Sequence, residues 1–345
     1  MKKGLLIILA AALLGSLCSC GESTPPPAPQ EDTVAIEVGA QQVSKNEYYR
    51  YMYSERYTQM GIESDTAEFW ASEKEKGLTY SEAAVQAVQK DWIITKLYAE
   101  QFDQLGLTFT AEETERFNSA LEQEITAAGG MANFREQLIA NRFTYEEYKT
   151  ALYDGLKKDK VLAYYFGEGG AYAPKAEELA KFYNENYARI KMIMVSKVDS
   201  YYEELLPEDE LADAKEKAED AYAAAKQSTD PKRFNELISL YSADASTRGD
   251  GAVIHKSSED EIAKLAFKLE IGEVLFHEND RGYYVIQRFD GTDPDVYTEE
   301  VKLDLIEQLC ADRIASLLKD WQEATEVVVH TEVTELYRPE NMLGE

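Results

Sequence analysis

The 345-residue chain carries 65 acidic against 36 basic side chains, a formal charge of −29. Such a field repels phosphate backbones and anionic headgroups, which argues against a nucleic-acid partner or a basic membrane patch, while the length allows two domains and a sizeable core. Three cysteines and three scattered histidines (His255, His277, His330) lack the paired spacing of a zinc site or a disulfide framework, and no cofactor motif is present.

Residues 1–19 place Lys2 and Lys3 before an apolar run from Leu5 to Leu17. The run is too short to span a bilayer as a helix and suits a signal peptide. It ends in Leu17-Cys18-Ser19-Cys20, which resembles the bacterial lipobox and implies that Cys20 is lipidated. The stretch GESTPPPAPQED (21–32) has too little apolar surface to order itself and reads as a tether, residues 20–33 in all. The folded part should then lie on the outer face of a bacterial cell membrane.

From Val34 the pattern is strand and then helices. Val34, Ile36 and Val38 alternate before Gly39. Capping boxes follow at Ser44 with Glu47, Thr79 with Glu82, Thr110 with Glu113, and Thr144 with Glu147. Tyr49, Tyr53 and Tyr57 run along one side of the first helix; they read either as half-buried packing residues or as a surface for unfolded chains. The helix from Thr79 carries an apolar face through Val85, Val88, Trp92, Leu97 and Phe102. GEGGAYAP (167–174) reads as a hinge.

RIKMIMVSK (189–197) alternates as a strand, with Ile190, Met192 and Met194 on one face and Ile193 and Val195 on the other. Asp230 and Pro231 open a helix, YSADASTRGDG forms a loop, and Ala252–Ile254 is a short strand. Ser258 with Glu261 reads as the capping box of a further helix. AFKLEIGEV follows, and GYYVIQRFD closes the unit. DGTDPD (290–295) reads as a surface turn. A long helical pattern covers about 298–324 and EVVVHTEV alternates as a strand. Cys310 sits on that helix as a small core residue.

The joint order of F-x-E-L (Phe234–Leu237), YS-x-D (Tyr241–Asp244), GDG (249–251), AF-x-L-x-x-GEV (Ala266–Val274) and G-Y-x-V-I (Gly282–Ile286) resembles a parvulin-type peptidyl-prolyl isomerase domain. With the leader and the strand followed by S-K-N-E-Y-Y, the chain is similar to the lipid-anchored PrsA/SurA-like foldases. The resemblance implies a mostly helical α+β fold. A SurA-like chaperone domain would be formed by residues 34–188 and 291–345, with a parvulin-like sheet-and-helix domain (189–290) inserted between them. It implies Asp244 as the polar group near the substrate carbonyl, Ile262 and Phe267 as pocket residues, and Met192 and Tyr284 at the two positions where the family usually carries histidine. Implied partners are unfolded or secreted polypeptides with X-Pro bonds, and the membrane through Cys20. No cofactor or metal is implied. Taken as residues alone, Asp244 is equally a turn former and Phe267 equally a core residue. The readings open at this stage are a foldase with isomerase activity, a holdase without it, and a solute-binding or adaptor lipoprotein.

Overall fold

The computed structural model describes residues 33–199, 204–228 and 230–344, so the leader, Cys20 and the tether lie outside the described residues. Among the described residues no helix is long and apolar enough to cross a membrane. The chain divides into two compact units, one spanning Pro174–Cys310 and one made from the segments on either side of it.

The split unit begins with β1 (Val34–Val38) and β2 (Gln41–Ser44), an antiparallel hairpin. Gly39 turns it at φ +59°, and a Cβ there would meet the Glu100 carboxylate carbon at 2.7 Å. That carboxylate accepts the Ala40 amide at 3.0 Å. Then come α1 (Lys45–Met60), α2 (Ala67–Ala71), a small hairpin of β3 (Glu73–Glu75) and β4 (Leu78–Thr79), α3 (Tyr80–Gln104), α4 (Ala111–Ala127), α5 (Met131–Ala140) and α6 (Tyr145–Phe166). All four capping boxes form, each N-cap hydroxyl taking the N3 amide and each glutamate returning to the N-cap amide. They fix where α1, α3, α4 and α6 start, because they satisfy amides that the helix itself leaves unpaired. Between α3 and α6 the buried Lys96 ammonium meets the buried Asp154 carboxylate at 2.8 Å.

The continuous unit holds α7 (Ala176–Asn186), β5 (Tyr187–Ser196), α8 (Glu208–Ala225), α9 (Pro231–Tyr241), β6 (Ala252–His255), α10 (Glu261–Ala266), β7 (Val274–Glu278), β8 (Gly282–Phe289) and α11 (Glu299–Leu309). Its sheet runs β6-β5-β8-β7, antiparallel throughout. The strand β7 is absent from the sequence reading, which passes over it within AFKLEIGEV and the residues that follow. On one face Ile193, Val195, Tyr283, Val285 and Phe289 pack beneath Ala214, Ala218, Ala221 and Ala225 of α8 and Phe234, Leu237 and Ile238 of α9. The alanine stripe lets α8 approach the sheet closely.

The chain then returns to the split unit through α12 (Ala311–Ala324), β9 (Val327–Val329) and α13 (Thr331–Thr334). β9 pairs antiparallel with β1, giving the order β2-β1-β9. The helix read over 298–324 is two helices, since Cys310 at φ −102° and ψ 14° caps α11 and breaks the run. The continuous unit is accordingly wider than 189–290 on both sides: α7 packs on β5 and α11 packs on α7, which places the divisions at 173/174 and 310/311.

Candidate functional site

Strand alternation puts Met192 and Met194 on the face of the sheet away from α8 and α9. Across the β5–β8 ladder Met192 stands opposite Ile286, and Met194 opposite Tyr284. The next strand extends both rows, with Leu275 opposite Ile286 and His277 opposite Tyr284. Ala188, Ile190, Ala266, Leu269, Tyr284 and Ile286 are buried in one cluster, against which Met192, Met194, Ile262, Phe267 and Leu275 are half-buried. Met192, Tyr284, Ile262 and Phe267 therefore share a single half-open apolar face. Ile262 and Phe267 come from α10 and its C-cap. Asp260 caps that helix, taking the Ile262 and Ala263 amides at 2.8 and 3.2 Å. This corrects the assignment of the cap to Ser258 with Glu261. The Arg288 guanidinium lies 5.8 Å from the Phe267 ring centroid while donating to the Leu269 carbonyl at 2.9 Å.

Asp244 lies half-buried in the 242–251 loop, which runs along the free edge of β5. Its Oδ1 accepts the Ser246 amide at 2.7 Å and its Oδ2 the Ser246 hydroxyl at 2.9 Å, so both carboxylate oxygens are engaged in a local turn. The loop covers the stretch of β5 that β6 leaves unpaired. Ser242 Oγ accepts the Met194 amide at 2.9 Å, the Ala243 amide donates to the Met194 carbonyl at 2.7 Å, and Thr247 bonds Met192.

From the packed side, the fully buried Lys191 ammonium donates to the Pro231 carbonyl (3.0 Å), Asn235 Oδ1 (2.7 Å) and the Gly249 carbonyl (2.5 Å). Arg189 Nε donates to the Asp250 carbonyl at 2.6 Å. Burial lowers Lys191 from 10.5 to about 8, helped by the neighbouring Arg189. Gly251 must be glycine, since at φ +89° a Cβ would lie 2.6 Å from the Ile190 carbonyl. The motif legible as GDG is thus the place where the loop meets the edge of β5 and enters β6.

Two cavities in this unit lie away from that face. One of about 220 Å³ is lined by Pro231, Ile271, Arg288, Phe289 and Asp293 among others, and one of about 460 Å³ by Lys197, Leu205, Leu211 and Arg281 among others. Neither includes Met192, Asp244, Ile262, Phe267 or Tyr284. The polar groups on the apolar face that the sequence reading missed are His277 and its partner Glu261, 3.2 Å apart. The alternation Val274-Leu275-Phe276-His277 before an Asn279–Gly282 turn was the available signal.

In the split unit, Tyr49 and Tyr53 are half-buried and Tyr57 is exposed. Arg142, held at φ 61°, stacks 3.9 Å from the Tyr53 ring centroid and donates to the Tyr49 hydroxyl. Tyr53 and Tyr57 share a hydroxyl contact at 3.2 Å.

No family model matches the sequence, and no curated protein is detectably similar. Among solved structures, the foldase protein PrsA of Streptococcus pneumoniae is similar at 15% identity and a TM-score of 0.37, covering 87% of this chain and 97% of that one. PrsA of Bacillus subtilis is similar at 19% identity and TM-score 0.32, over 86% of this chain and 92% of that one. A structure reported for SurA-like chaperones of Campylobacter jejuni is similar at 14% and 0.31, over 86% and 99%.

Proposed function

We propose that the chain is an extracytoplasmic chaperone for unfolded polypeptides, anchored through a lipid on Cys20, whose continuous unit docks X-Pro segments on the methionine-lined face and isomerises them weakly. The observation that carries this reading is the convergence of Met192, Met194, Tyr284, Ile262 and Phe267 on one half-open apolar face.

Rotation about a peptide C–N bond meets a barrier of about 18–20 kcal/mol. Lowering it requires no nucleophile or cofactor. It requires an apolar surface that grips the proline ring and polar groups that favour the twisted imide over the planar one. The first requirement matches the half-buried methionines, flexible enough to seat rings of differing orientation. The second is poorly met: Met192 has no donor, and both Asp244 oxygens are committed to Ser246. Preorganised polar stabilisation supplies much of a catalyst's effect where charge shifts, so activity should be low. The same commitment of Asp244 favours the second reading, a holdase that binds X-Pro segments without turning them over.

The experiment compares the mature chain in a proline tetrapeptide isomerisation assay with its suppression of aggregation of an unfolded client. The proposal expects slow but measurable isomerisation that Met194→Glu abolishes, with suppression retained in that variant. Isomerisation indistinguishable from background would leave the holdase. Loss of neither activity in Met194→Glu would remove the methionine face from the account.

A further inference from the structure

Because Asp260 alone caps α10, the Glu261 carboxylate is free of the helix start and reaches the sheet. Its Oε2 accepts Asn279 Nδ2 at 3.0 Å, and its Oε1 lies 3.2 Å from His277 Nε2. His277 belongs to β7, in the row that continues through Tyr284 to Met194, and its ring centroid is 6.1 Å from that of Tyr284. Asn279 belongs to the hairpin turn, where its Oδ1 accepts the Arg281 and Gly282 amides at 2.9 and 3.3 Å. One carboxylate therefore reaches from the first turn of α10 to the turn after β7 by a hydrogen bond to Asn279, and to the end of β7 by a close contact with His277 that lies outside hydrogen-bond geometry. Among the described residues, the other charged pair of this helix, Lys264 with Glu259 at 2.7 Å, is exposed and does not reach the sheet.

We propose that the His277–Glu261–Asn279 clamp sets the position of α10 over the methionine face. His277 and Glu261 are then positioning residues that determine how Ile262 and Phe267 meet a bound X-Pro segment. The inference rests on the docking role proposed above for that face. Its physical basis is leverage: α10 has six residues, less than two turns, and Ala263 and Ala266 supply its buried contacts. Small side chains on a short helix fix its distance from the sheet but resist sliding poorly, whereas a carboxylate with a separate partner for each oxygen fixes its register. Glu261 approaches the Nε2 edge of the His277 ring, and Tyr284 lies beside the ring.

The test uses the full mature chain labelled at the methionine ε-methyls, with Met192 and Met194 assigned by Met192→Leu and Met194→Leu. His277→Ala and Glu261→Ala are each expected to shift both methyl resonances and to weaken a proline tetrapeptide several-fold. The double variant should do no more than either single one, and His277→Gln, which retains a donor, should recover most of the effect. Thermal midpoints establish that each variant is folded, and Glu261→Gln serves where the alanine variant is not. Unmoved methyls in both single variants overturn the proposal, as do shifts that simply add in the double variant. Coupled methyl shifts in a chain that binds no proline peptide would uphold the clamp and sink the docking role.

Discussion

Thr247 bonds both backbone groups of Met192 with one hydroxyl, accepting the amide at 2.9 Å and donating to the carbonyl at 3.1 Å. A buried side chain thus substitutes for the neighbouring strand that β5 lacks beyond Ile190. Thr247→Val keeps the shape and strands both groups, so it should cost about 1–3 kcal/mol. Thr247→Ser should cost much less. Urea denaturation of the two variants separates these outcomes; equal costs would mean that the methyl, not the hydroxyl, carries the contribution.

Lys191 should leave a mark at alkaline pH. Its ammonium is lowered from 10.5 to about 8 in the folded chain. Below about 8 the folded and unfolded forms are both protonated, and its contribution is flat. Between there and 10.5 the unfolded chain holds the proton that the folded chain has released, so this residue makes stability rise with pH. Denaturation midpoints across that window, compared with Lys191→Met, should show the rise in the parent and its absence in the variant.

His330 has the opposite sign. Its Nε2 lies 2.9 Å from Glu37 and its Nδ1 3.2 Å from Glu332, and its pKa is raised above 6.5, chiefly by the bond to Glu37. The stabilisation is fully present below the unfolded value and is lost as pH rises through the raised one. The difference in thermal midpoint between the parent and His330→Gln should therefore shrink from pH 5.5 to pH 8.5. A constant difference would indicate that the charge is not involved.

Breaking the buried Lys96–Asp154 pair from one side should be expensive, about 3–5 kcal/mol for Lys96→Met. Adding Asp154→Leu should recover most of that loss, because it removes a buried carboxylate left with the more distant Lys157 at 3.9 Å. Chemical denaturation of the single and double variants measures the recovery. A double variant as unstable as the single one would locate the cost in packing, for instance around Trp92, whose ring centroid lies 5.2 Å from Lys96 Nζ.

Local chemistry was the most legible part of this chain. Ser44, Thr79, Thr110 and Thr144 state their helix starts because a capping box is a contact three residues long. The faces of β5 were nearly as plain, since Arg189 and Lys191 alternate with Ile190 and Met192 before the apolar run to Val195. β7 escaped because five residues with apolar side chains on both faces carry little period, and the ladder with β8 decides them. The Ser258 cap failed because Asp260 stands two residues later with a better acceptor. Nothing in the sequence around Asp244 reveals that Ser246 satisfies both of its oxygens; that depends on how the loop folds along β5. His277 was visible as a scattered histidine, and only the strand register gives it neighbours.

The pairing of β1 with β9 also imposes an order on folding. Glu37 and His330 are 293 positions apart, so a chain emerging N-terminus first has its first strand ready long before the partner exists. The elements of Pro174–Cys310 are contiguous, and domains generally fold as units as they emerge. That unit can therefore form while β1 still has one open edge. The split unit finishes last, when β9 closes the open edge of β1.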